Sequence, residues 1–174
     1  LDADVVVGPS AGEDQMRLVE CLNPFARARK QGVDLNQALA EDPVAGNELL
    51  DRFVEQTRES LLASLDSGAD GVLYRLHGAC EALCTPMQYG GYYLERDREL
   101  LEEICDANLN VLLVVGKDAY LDFVCDLPAH VFAWDADATG VTSDQIRALR
   151  VGAQASTDEA SEFRLGPIPS TIAD

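Results

Sequence analysis

The run Asn110-Val111-Leu112-Leu113-Val114-Val115-Gly116 limits the possible folds of this chain more than any other segment. It is short, apolar between its ends, rich in valine and stopped by glycine, so it reads as a strand covered on both faces. Strands of that kind belong to parallel sheets, because the helices that connect parallel neighbours also cover them. The rest of the chain should therefore alternate strands with helices.

It does so along its whole length. Asp4-Val5-Val6-Val7, closed by Gly8-Pro9, reads as a first strand. From Asp14 to Lys30 the positions Met16, Val19, Leu22, Phe25 and Ala26 recur at helical spacing, with Pro24 dividing the segment. Further helices are expected over Leu35 to Ala40, over Val44 to Ser67 with Gly68 ending it, and from Pro86 to about Ala107. Shorter ones are expected around Leu121 to Leu127 and after Ser143, which reads as a cap. Gly71 to Leu76, Ala129 to Trp134 and Val151 to Ala155 complete a set of five strands. A closed eight-stranded barrel needs at least roughly 200 residues, and this chain has 174. The expected fold is therefore α/β, a partial (β/α)8 TIM-type barrel of about five parallel βα units. It forms one domain over 1–174, in which 157–174, with the loop Gly166-Pro167-Ile168-Pro169, is mostly tail. The chain opens on Leu1 and runs straight into a strand, the expected look of a segment cut from a longer protein.

Thirteen Lys and Arg stand against 31 Asp and Glu, a formal charge of −18. Nucleic acid is excluded as a partner, since phosphates need clustered cations. The sequence has no apolar stretch long enough to cross a bilayer, so no membrane partner is expected and the protein is read as cytoplasmic. The odd set Cys21, Cys80, Cys84, Cys105 and Cys125 reads as free thiols in a reducing compartment.

In parallel βα folds, ligands meet the carboxyl ends of the strands. Those positions hold Gly8-Pro9-Ser10, Arg75-Leu76-His77-Gly78, Gly116-Lys117-Asp118, Asp135-Ala136-Asp137 and Gln154-Ala155-Ser156. Arg75, His77, Lys117 and Asp135 are the candidate substrate-binding residues, a set suited to a small polycarboxylate. Asp135 and Asp137 equally suit capping of nearby backbone N–H groups, and Lys117 equally suits plain solvation. Gly78 would let a ligand approach the backbone beside His77. The spacing His77-x2-Cys80-x3-Cys84 is not a usual zinc pattern, so no metal is expected and Cys80 and Cys84 read as small buried hydrophobes. Tyr89, Tyr92 and Tyr93 read as core or interface material.

Ser67-Gly68-Ala69-Asp70-Gly71-Val72-Leu73-Tyr74, followed by a polar loop and then Thr85-Pro86-x-x-Tyr89 opening a long helix, resembles the uroporphyrinogen decarboxylase superfamily. Asn110 to Gly116, Val131-Phe132-Ala133-Trp134-Asp135 and Val151 to Gln154 continue the likeness in order, over residues 45–156. The resemblance implies the C-terminal part of a (β/α)8 barrel. It also implies binding of a polycarboxylated tetrapyrrole-type substrate in the full-length protein, with carboxy-lyase chemistry, no cofactor and little activity in the isolated chain. His77 falls where the decarboxylases place a polar residue against a substrate carboxylate. The superfamily's corrinoid- or cobalamin-linked methyltransferases supply the alternative, and a non-catalytic binding scaffold is the third reading. The methyltransferases carry a His-x-Cys zinc pair where this chain has Gly116-Lys117-Asp118, and the family's late Gly-Asn-x-Asp-Pro loop is replaced by Gln154-Ala155-Ser156-Thr157-Asp158. Two open edges on a five-stranded sheet imply a homo-oligomer.

Overall fold

A computed structural model describes residues 4–8, 12, 15–149 and 153–157. Its strands are β1 (Asp4–Val7), β2 (Gln15–Leu22), β3 (Gly71–Leu76), β4 (Val111–Val114), β5 (Val131–Asp135) and β6 (Ala153–Thr157). They form one sheet in the order β1-β2-β3-β4-β5-β6, and every neighbouring pair is parallel. Chain order equals spatial order, the winding of a barrel, and the sheet curls into a half-barrel. All five expected strands are present. Residues 151 and 152, expected in the last of them, lie outside the described residues, as does the 158–174 tail.

The sixth strand is β2, and here the expectation of a helix from Asp14 to Lys30 is corrected. Met16, Val19 and Leu22 fit a helical stripe, but Gln15–Leu22 pairs with β1 on one side and β3 on the other. Only Pro24–Lys30 is helical (α1). Asn23 caps it by accepting the N–H of Ala26, and Pro24 occupies its first turn, where a missing N–H costs nothing. Pro24 therefore starts a helix where it was expected to divide one.

The remaining helices are α2 (Leu35–Glu41), α3 (Pro43–Asp66), α4 (Pro86–Gln88), α5 (Leu94–Glu103), α6 (Leu121–Val124), α7 (Ala136–Thr139) and α8 (Ser143–Leu149). A π-helical turn, Tyr89–Tyr93, joins α4 to α5. The N-terminus of α8 is capped by Thr142 and not Ser143: Thr142 accepts the Gln145 N–H while the Gln145 side chain accepts the Thr142 N–H.

Alternation along the strands sorts side chains onto two faces. Cys21, Val72, Tyr74, Leu76, Leu112, Val114, Phe132 and Trp134 pack into one large core with Leu50, Phe53, Leu61, Leu100 and other helical residues. Leu18, Leu73, Val111, Leu113, Val131 and Ala133 form a smaller cluster on the opposite, concave face, to which, among the described residues, no helix contributes a buried side chain. Cys21, Cys80, Cys84 and Cys125 are buried, while Cys105 is exposed. Tyr89 and Tyr93 belong to the main core and Tyr92 packs against it.

Candidate functional site

The carboxyl ends of β2 and β3 carry the polar groups of the concave face. Alternation from Leu18 puts Glu20 on that face, and alternation from Leu73 puts Arg75 beside it. Their nearest approach is 3.7 Å, from Arg75 Nε to Glu20 Oε2, with both side chains part-exposed. That distance exceeds a hydrogen bond. Arg75 Nε is itself buried and has no hydrogen-bond partner. A guanidinium so weakly held can exchange Glu20 for another carboxylate at little cost, since exposed pairs of this kind contribute at most about 1 kcal/mol.

His77 follows β3 and is half-buried. Burial, then the positive charges of Arg75 and Arg29, lower its pKa from the usual 6.5, so the imidazole is neutral at physiological pH. Its backbone is clamped by Asn23, which donates to the His77 carbonyl at 3.0 Å and accepts the His77 N–H at 3.3 Å. Gly78 leaves no opening for a ligand, which corrects the expectation of close approach there. Its φ of +99° demands glycine, and the Phe25 ring fills the space where a Cβ would sit, at 3.1 Å.

Asn23 links this loop to a buried carboxylate that the sequence reading missed. Asp97 Oδ1 accepts from the Tyr74 hydroxyl at 2.6 Å, and Oδ2 accepts from Tyr89 at 2.7 Å and Asn23 at 3.2 Å. Burial raises the Asp97 pKa from 3.8 to about 6, against the opposing pull of its three donors. The π-turn and α4 bring Tyr89 to this carboxylate. Nothing in Glu95-Arg96-Asp97-Arg98-Glu99 marks its third residue as buried, because every neighbour in the run is charged.

The other candidates sit at the same end of the sheet in different states. Lys117 is exposed just beyond β4 and makes no hydrogen bond or ion pair among the described residues. Asp135 ends β5 and accepts the Ala138 N–H at 2.8 Å, capping α7. The capping role therefore occupies one of its oxygens, and Asp137 is exposed. The structure brings Arg75 and His77 together and leaves Lys117 and Asp135 on neighbouring strand ends.

The His-x-Cys zinc pair of the methyltransferases does not fit this chain. A lysine ammonium cannot ligate metal, Asp118 beside it is exposed, and the described residues contain no cluster of three or more His, Cys, Asp or Glu side chains able to hold a metal ion. Among the described residues, no helix is long and apolar enough to cross a membrane.

A curled parallel half-barrel with helices on its convex side defines a partial TIM-type α/β barrel. No known family's sequence model matches the chain, and no curated protein matches it either. Among solved structures, a methyltransferase from Methanosarcina mazei superposes with a TM-score of 0.72 at 16% identity, over 91% of this chain and 47% of its own. The chain thus spans about half the length of that enzyme, and the likeness is one of fold.

Proposed function

We propose that this chain is a methyltransferase-type barrel module that binds the carboxylate of a small molecule at the C-terminal ends of β2 to β5, with Arg75 as its anchor. The buried, unbonded Nε of Arg75, on a guanidinium only loosely paired with Glu20, carries this reading. Neutral His77 supplies one hydrogen bond to the same ligand, Lys117 adds a second, exposed cation, and Asp135 presents its uncapped oxygen. The structural likeness to a methyltransferase supports methyl transfer over the carboxy-lyase chemistry of the decarboxylase branch, and a corrinoid is the methyl carrier the resemblance implies. The zinc-thiolate route is no part of the reading, because Gly116-Lys117-Asp118 cannot provide its ligands.

Amide NMR during titration with tricarballylate tests the anchor. Shifts at residues 75–78 that disappear in Arg75→Gln support it, whereas no shift up to about 10 mM, the limit of a meaningful weak site, overturns it. Addition of methylcobalamin tests the methyl-transfer class separately: a chain-dependent change in its visible spectrum supports corrinoid pairing, and an unchanged spectrum overturns that part.

A further inference from the structure

A cavity lies between α1, α2 and the loop after β3, with a volume of about 390 Å³ and with none of Arg75, His77, Lys117 and Asp135 in its lining. That is the lower end of small-molecule sites, about 300–1,000 Å³. Its lining includes two opposite charges, Arg29 and Asp34, that do not pair with each other. Each is held by another task. The Arg29 guanidinium sits over the Phe25 ring, 5.9 Å from its centroid, and makes no hydrogen bond or ion pair among the described residues. Asp34 accepts the Gln37 N–H through Oδ1 as the cap of α2, which leaves Oδ2 without a hydrogen bond among the described residues. The same lining includes the apolar side chains of Phe25, Val33 and Leu83 and the polar side chain of Asn36.

Two exposed opposite charges in the lining of one cleft that also holds apolar side chains are complementary to a molecule carrying both charges on an apolar body. A simple anion would meet Asp34 as a repulsive neighbour, and a simple cation would meet Arg29 in the same way. The floor is fixed independently. Asn36 accepts from the Tyr93 hydroxyl at 2.7 Å and donates to the Leu83 carbonyl at 2.9 Å, so the wall at Leu83 is tied to α2 and to the main core. We propose that this cleft binds a small zwitterion of the amino-acid class, its carboxylate on Arg29 and its ammonium on Asp34.

The test compares three probes by calorimetry and amide NMR: L-leucine, 4-methylpentanoate, which lacks the ammonium, and 3-methylbutylamine, which lacks the carboxylate. The expected result is leucine binding at least about tenfold tighter than either single-charge analogue, with shifts at residues 29–36 and 82–83. Arg29→Gln and Asp34→Asn should each weaken leucine by about tenfold. Asparagine retains the cap, so Asp34→Asn removes charge without unfolding α2. The exposed Arg52→Gln serves as the charge control and should bind leucine as the parent does. Equal affinity for leucine and 4-methylpentanoate, no effect of Asp34→Asn, or no leucine binding overturns the proposal. None of these outcomes bears on the Arg75 anchor, which is read with a different probe and variant.

Discussion

Asn23 holds His77 by both of its backbone polar groups, donating to the carbonyl at 3.0 Å and accepting the N–H at 3.3 Å. The same side chain caps α1 and donates to Asp97, so one fully buried carboxamide joins the end of β2, the end of β3 and α5. Asn23→Ala should lower stability by about 2–4 kcal/mol, the sum expected for a lost cap and buried groups left unsatisfied. Urea denaturation measures it. A change below about 0.5 kcal/mol, the scale of an ordinary surface substitution, would contradict the clamp.

Asp97 gives the protein a pH dependence of defined sign. Burial raises its folded pKa to about 6 from 3.8, so the native state favours the protonated form. Its stabilising contribution is complete below pH 3.8 and is lost as pH rises to about 6. A shift of about two units corresponds to about 3 kcal/mol. Asp97→Asn, which cannot titrate, should lose less stability than the parent between those two pH values. Parallel stability curves for the two proteins would contradict the assignment.

His77 titrates in the opposite sense. With its folded pKa below 6.5, it contributes stability that is present above 6.5 and lost as pH falls through the folded value. Removing a neighbouring cation should move that value back up, so the imidazole proton resonance of Arg75→Gln should titrate at higher pH than in the parent. Tricarballylate bound at Arg75 should move it the same way by neutralising the guanidinium. An unchanged titration in both cases would show that Arg75 does not face His77 electrostatically.

Gly71 begins β3 where no side chain fits. A Cβ there would lie 1.6 Å from the Leu109 carbonyl oxygen, which is backbone and cannot rotate away. Gly71→Ala should therefore cost about 3 kcal/mol, the upper range for overpacking, and thermal unfolding would read it as a large drop in Tm. A near-parental Tm would mean that the strand and the Leu109 loop move apart easily.

The strand most legible in the sequence is Val111-Leu112-Leu113-Val114, apolar on both faces, because a continuous run leaves only length to settle and glycine settles it. β2 was misread because Arg17 and Glu20 interrupt its alternation, while Met16, Val19 and Leu22 happen to match a helix. Asn23-Pro24, a cap followed by proline, was the signal that the helix starts later. That one misreading hid Glu20 and Asn23, the partners of Arg75 and His77. Asp97 stayed hidden for another reason: its partners Tyr74, Tyr89 and Asn23 come together only in three dimensions.

The sheet ends at β1, which pairs only with β2, and at β6, which pairs only with β5, among the described residues. Six parallel strands in barrel order fall two short of the eight that close such a barrel. Among the described residues both edges therefore present unpaired N–H and C=O groups, and the concave face between them carries Leu18, Leu73, Val111 and Leu113. Edge groups of this kind recruit another strand, whether from a second copy or from further barrel segments. Light scattering at micromolar concentration should give a mass above the 18.8 kDa of one chain. Val6→Lys should shift the distribution toward the monomer, because a lysine on β1 opposes edge-to-edge pairing while α3 and the main core lie elsewhere. A monodisperse 18.8 kDa species would show that the edges are covered from within the chain. An oligomer indifferent to Val6→Lys would place the contact away from β1.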